Sequence, residues 1–149
     1  MRTLAICAVL LSAAGFASTG YHLLKTIPVP GDGGFDYLTI DGASRRLYVS
    51  HGTEVNVLDA DSGTIVGKIP DTQGVHGIAI APESGRGFVS DGQANTVTIF
   101  NLKTLARIGD VPTGKKPDGI IYDPATRRVF AFNGGSDSTT AIDAATGKV

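Results

Sequence analysis

Asp36, His76 and Asp118 stand 40 and then 42 residues apart, and His51, Asp91 and Asn133 keep the same two intervals. Imidazole nitrogens and carboxylate oxygens are donors that Zn2+ and similar ions accept, so these groups gathered in one place could hold a metal or an anchored cofactor. The same residues have a plainer use. His76-Gly77, Asp91-Gly92, Asp118-Gly119 and Asn133-Gly134 each set a short polar side chain beside a glycine, the composition of a turn closed by its own side chain. A second charged set, Arg45-Arg46, Arg86 and Arg127-Arg128, follows the same register. It could bind an anion, or each arginine could pair with a carboxylate of its own hairpin, such as Asp41 or Asp123, which is the commoner arrangement in sheets. Gly31-Asp32-Gly33-Gly34 lacks the Lys-Ser/Thr and the following helix of a phosphate loop, and reads as a flexible link.

These intervals belong to a repeat that runs through the chain. Phe35–Asp41, Val75–Ala81 and Pro117–Asp123 align, each followed by a five-residue turn and then by Leu47–His51, Gly87–Asp91 or Val129–Asn133. Val55–Asp59, Val97–Asn101 and Thr139–Asp143 align next, with Gln93-Ala94 as a loop insertion in the second unit. The runs are short, rich in Val, Ile, Tyr and Phe, and punctuated by Gly, Pro, Asp, Asn and Ser, which predicts four strands, A to D, per unit. Four strands every ~40–45 residues is the spacing of a β-propeller blade. The expected fold is therefore all-β, a β-propeller of four-stranded antiparallel blades over residues 35–70, 75–112 and 117–149. In that geometry the D-to-A and B-to-C loops share one face, at the mouth of the central channel. The six polar positions would form a ring there, with the arginines on the opposite face.

His22–Pro28 aligns with the D strands Thr64–Pro70 and Ala106–Pro112, each step being 42. It reads as a lone outer strand whose A to C partners would come from the last blade and close the ring. Three blades fall short of the ~4–8 of closed propellers, so residues 19–149 read as the N-terminal part of a longer domain.

Tyr48-Val49-Ser50-His51, Phe88-Val89-Ser90-Asp91 and Phe130-Ala131-Phe132-Asn133 resemble the YVTN β-propeller repeat. Val57–Gly63 and Ala141–Gly147 resemble its hydrophobic-Asp-x-x-Thr-Gly continuation. The likeness runs from about residue 22 to the end and is nearest to the YncE-like periplasmic proteins, which implies seven blades. The second unit departs from it, with Asn101 for Asp and no glycine before strand D.

Residues 1–18 read as a signal peptide: Arg2, the apolar run Leu4–Leu11, and a small-residue stretch in which Gly15-Phe16-Ala17 suits cleavage. The apolar run is shorter than the ~20 residues of a bilayer span. Export predicts a periplasmic or secreted protein with no membrane span after cleavage. Cys7, the sole cysteine, would leave with this segment, which removes disulfides, cysteine metal sites and covalent haem attachment from the mature chain. Without Arg2 the charged residues number 12 basic and 14 acidic, so bulk charge gives no indication of nucleic acid.

The leading functional expectation is a binding or interaction scaffold, its partner an unknown small molecule or protein at the propeller face. No cofactor is evident, with a metal at the channel mouth kept open. A metal-dependent, lactonase-like hydrolase is the alternative; it is weakened because Asp36, not Glu, opens the first blade. A redox propeller with a cofactor at the mouth is a third reading, with His76 as its axial ligand.

Overall fold

The structure, a computed structural model, describes residues 20–149. The segment read as a signal peptide, with Cys7, lies outside the described residues. Eleven strands and one short 3-10 turn account for the regular structure: β1 (Phe35–Asp41), β2 (Arg46–His51), β3 (Glu54–Asp59), β4 (Ile65–Ile69), β5 (Val75–Ala81), β6 (Arg86–Asp91), β7 (Thr96–Asn101), β8 (Arg107–Pro112), β9 (Pro117–Asp123), β10 (Arg128–Asn133) and β11 (Ser138–Asp143), with the turn at Pro82–Ser84. They form antiparallel sheets in simple up-and-down order, β1-β2-β3-β4, β5-β6-β7-β8 and β9-β10-β11. No helix among the described residues is long and apolar enough to cross a membrane.

Burial explains the sequence pattern. β3 and β7 are buried at four consecutive positions, Asn56 and Thr98 among them, whereas β4 and β8 expose Ile65, Val66 and Ile108 along the outer rim. The cores lie between consecutive sheets. Tyr48, Val57 and Ile69 of the first sheet meet Ile78, Val89 and Phe100 of the second, with the Tyr48 and Phe100 rings 5.8 Å apart. Phe88, Val97 and Ile99 of the second meet Ile120, Val129 and Ile142 of the third. Each such side chain contributes about 1.5–3 kcal/mol on burial. Gly87 is required in this packing, because a Cβ there would fall inside the buried Phe100 ring.

The turns repeat as closely as the strands. Asp41 and Asp123 close the first turn of their units by accepting from the backbone and hydroxyl of Ser44 and Thr126. After the third strand, Asp59 and Asp143 likewise accept from the backbone and hydroxyl of Ser62 and Thr146, and Asn101 accepts from the backbone of Lys103 and Thr104. The left-handed residue that follows is Gly63 (φ 74°) or Gly147 (φ 76°), but Leu105 (φ 62°) in the second unit. The compensation is visible: Leu105 is buried, with Cδ1 2.5 Å from where a Cβ on Gly67 of the first sheet would lie. Arg46 and Arg128 stand opposite Asp41 and Asp123 across their own hairpins. Arg45 pairs instead with Asp61, two strands on, and Arg46 also donates to the Leu102 carbonyl of the next unit.

The run 22–28 has no ladder partner among the described residues. Lys25 donates to the Ser62 carbonyl and Ile27 lies over Gly63, so the run follows the β3–β4 turn.

Candidate functional site

The opening strand of every sheet is bulged at the same place. Phe35 faces His51 and Leu38 faces Val49, so Asp36-Tyr37 oppose the single Ser50. In β5 the pair His76-Gly77 opposes Ser90, and in β9 Asp118-Gly119 opposes Phe132. A bulge removes one side chain from the in-out alternation and re-aims it. The second residue of the bulge is held from behind: Ser50 Oγ donates to the Tyr37 carbonyl at 2.9 Å, and the Gly77 N–H donates to Ser90 Oγ at 2.9 Å. Ser90 Oγ also donates to the Asp118 carbonyl at 2.5 Å, tying the second bulge to the third.

This geometry brings Asp36 and His76 together across the first two sheets. His76 Nδ1 lies 2.6 Å from Asp36 Oδ2. A carboxylate at that distance fixes the proton on Nδ1 and leaves Nε2 as the outward atom. Nε2 lies over Gly92, 2.7 Å from where a Cβ would be, so the bare glycine is what seats the ring. His76 and Asp118 then line a concavity of about 590 Å³ between the second and third sheets with Gln93, Asn95 and Lys116.

His51 and Asp91 do not join them, and Asn133 meets Asp118 only along a separate concavity beside β10 and β11. His51, Asp91 and Asn133 are buried, at 3%, 1% and 2% exposure, and turn into their own hairpins. His51 stacks on Phe35 with centroids 4.2 Å apart and reaches the Gly33 carbonyl through Nε2 at 3.0 Å. Asn133 Nδ2 donates to Thr140 Oγ1 at 3.0 Å and to Ser138 Oγ at 3.2 Å. Asp91 accepts from Thr98 Oγ1 at 2.6 Å, and that one hydroxyl also lies 3.0 Å from Asp110 Oδ1, which Arg107 holds at 2.5 Å. Burial pushes the Asp91 carboxyl up to about 6, against the pull of the Thr98 hydroxyl and the Arg107 charge. The six predicted positions thus divide into an exposed set of three and a buried set of three. Among the described residues no three His, Cys, Asp or Glu side chains are gathered as ligands of a metal ion.

Lys116 and Asn95 did not figure in the sequence reading, and Gln93 figured only as part of a loop insertion. Lys116 and Asn95 occupy left-handed turn positions (φ 52° and 57°); asparagine is a residue that marks such a position, so Asn95 was open to sequence reasoning, whereas lysine carries no such signal.

No family model matches the chain. Over 111 residues it is 37% identical to antigen Lp49 of Leptospira interrogans, a match spanning 70% of this chain and 24% of the antigen. The solved hydrazine synthase of Kuenenia stuttgartiensis superposes with a TM-score of 0.73 at 18% identity, over 87% of this chain and 38% of that one. A putative 6-phosphogluconolactonase from Bacteroides uniformis gives 0.73 at 21%, over 84% and 41%. The WD40 repeats of RRP9 give 0.70 at 12%, over 80% and 38%. At such identities the likeness concerns architecture: the fold is a β-propeller, and the three sheets are consecutive blades. The chain spans less than half the length of each of these proteins.

Proposed function

We propose that the chain is part of an exported YVTN-type propeller, nearest in character to the YncE-like proteins, that works as a binding scaffold with its ligand at the face bearing Asp36, His76 and Asp118. The observation that carries this reading is the repeated bulge. It takes one polar residue per blade, Asp36, His76 or Asp118, out of the regular ladder at the same place in each sheet. Export rests on the composition of residues 1–18, and the YVTN assignment on the motifs quoted above. The test is a chemical-shift survey of a small-molecule set against the labelled protein. Binders should move resonances of residues 36–37, 76–77, 92–95 and 116–119. Binders that perturb only the arginine-bearing turns on the far side would sink the proposal.

A second reading, a lactonase-like hydrolase, is favoured by one observation. His76 is held by a carboxylate at 2.6 Å, the arrangement of an oriented general base. The likeness to the Bacteroides uniformis protein, a putative 6-phosphogluconolactonase, fits the same idea. In that case His76→Gln would abolish lactone hydrolysis by the purified protein. A protein that binds small molecules at this face and leaves lactones intact is a scaffold.

A further inference from the structure

Two side chains of the groove between the second and third blades are oriented from behind by protein groups. His76 Nδ1–H donates to the Asp36 carboxylate, which leaves Nε2 of the neutral ring as an acceptor. The Lys116 backbone N–H donates to Asn95 Oδ1 at 2.8 Å, so the Asn95 amide turns its NH2 away from that bond as a donor. The backbone donors of the surrounding turns are already used within the protein. Gly92 N–H reaches the Gly74 carbonyl, Gln93 N–H the Gln73 carbonyl, Gly134 N–H the Lys116 carbonyl, and Lys115 N–H the Ser136 hydroxyl. Ligand recognition in this groove therefore falls to side chains. Among the described residues neither the Lys116 ammonium nor the Asp118 carboxylate has an ion-pair partner within the chain.

The groove so presents two unlike sets of groups. Asn95 NH2 and Lys116 Nζ supply donors and a positive charge, the chemistry that takes a carboxylate. His76 Nε2 and Asp118 supply acceptors, the chemistry that takes a hydroxyl. The concavity is about 590 Å³, room for a small organic acid and its waters. Resting on the mouth-face reading above, we propose that this groove binds a small hydroxy acid, with its carboxylate on Lys116 and Asn95 and its hydroxyl on His76 and Asp118. The groups that orient Asn95 and His76 lower the ordering cost of binding, because neither side chain has to find its rotamer at that moment.

The experiment is a titration of the full-length protein with sodium gluconate, followed by calorimetry and by the resonances of residues 92–95 and 116–119. Glucose, which lacks the carboxylate, and acetate, which lacks the hydroxyls, are the two comparison probes, and inorganic phosphate is the third. Gluconate should bind at least about tenfold more tightly than any of them, a difference of about 1.4 kcal/mol. Lys116→Ala should weaken gluconate about tenfold or more, while the charge-matched Lys103→Ala on the far turn leaves it unchanged. Asp36→Asn should weaken gluconate several-fold without altering the weaker acetate binding, since its effect passes through His76 to the hydroxyl half. Equal binding of glucose, acetate or phosphate overturns the proposal, as does unchanged affinity in Lys116→Ala. If another class of compound shifts these same resonances while gluconate does not, the hydroxy-acid assignment falls and the mouth-face reading stands. If every binder perturbs the far side, both fall.

Discussion

Asp91→Asn should stabilise this protein near neutral pH and leave it unchanged in acid. The carboxyl is buried, shares one threonine hydroxyl with Asp110, and rises from 3.8 to about 6 on folding. It takes up its proton more readily in the folded chain than in the unfolded one. Its contribution is therefore fully present below about pH 4 and is lost as pH climbs through about 6. A rise of that size corresponds to about 3 kcal/mol at 1.36 kcal/mol per pK unit. The protonated acid closes the network: Asp91 donates to Thr98, and Thr98 donates to Asp110. Ionised Asp91 competes with Asp110 for the same hydrogen. Asparagine is a permanent copy of the protonated form, and Asn133 already plays that part in the third blade, donating to Thr140. The assay is urea unfolding of both proteins at pH 4 and pH 7.5. Asp59, Asp123 and Asp143 are held below their ordinary values by the Ser62, Thr126 and Thr146 groups that donate to them, so they weaken the fold as pH falls. They act equally in both proteins and cancel in the difference. That difference should approach 2–3 kcal/mol in favour of the variant at pH 7.5 and vanish at pH 4. A variant that is less stable at pH 7.5, or a difference that ignores pH, would refute the reasoning.

Other substitutions probe the interfaces between blades. Gly87→Ala drives a methyl into the buried Phe100 ring and should cost at least about 2 kcal/mol in denaturant unfolding. Leu105→Ala removes the side chain lodged on Gly67 and should cost about 2–3 kcal/mol, whereas Leu105→Gly, which accepts φ 62° freely, should cost no more than the alanine despite being smaller. Unfolding curves that rank glycine well below alanine would show that the left-handed turn carries no strain.

The repeat was legible because it is written in side-chain period and turn composition, which are local properties. Strand limits from Phe35 to Asp143 follow the aligned apolar runs closely for the same reason. The bulges at His76-Gly77 and Asp118-Gly119 carry glycines that read equally well as turns, the one at Asp36-Tyr37 carries none, and a ladder shift is a property of two strands read together. The repeat alone set Asp36, His76 and Asp118 at equivalent positions, and each falls in the bulge that opens its sheet. The buried half, His51, Asp91 and Asn133, could not be placed, because the residue ending the second strand can point to the channel or into its hairpin. The choice is made by a partner two residues into the third strand, Thr98 for Asp91 and Thr140 for Asn133. Leu105 in a glycine position is intelligible only once Gly67 on another blade is seen beneath it.

The bulge also separates what the chain must keep from what it can change. A side chain on a regular ladder position is committed to one face of a sheet, and replacing it disturbs a core. Asp36, His76 and Asp118 sit outside that commitment, each projecting from a two-residue excursion while the ladder closes behind it. Asp118 is the freest of the three, whereas Asp36 and His76 are tied to each other at 2.6 Å and His76 also needs the bare Gly92 beneath its ring. A change at such a position alters one projecting side chain while the ladder behind it stays closed, with positions 36 and 76 changing as a pair.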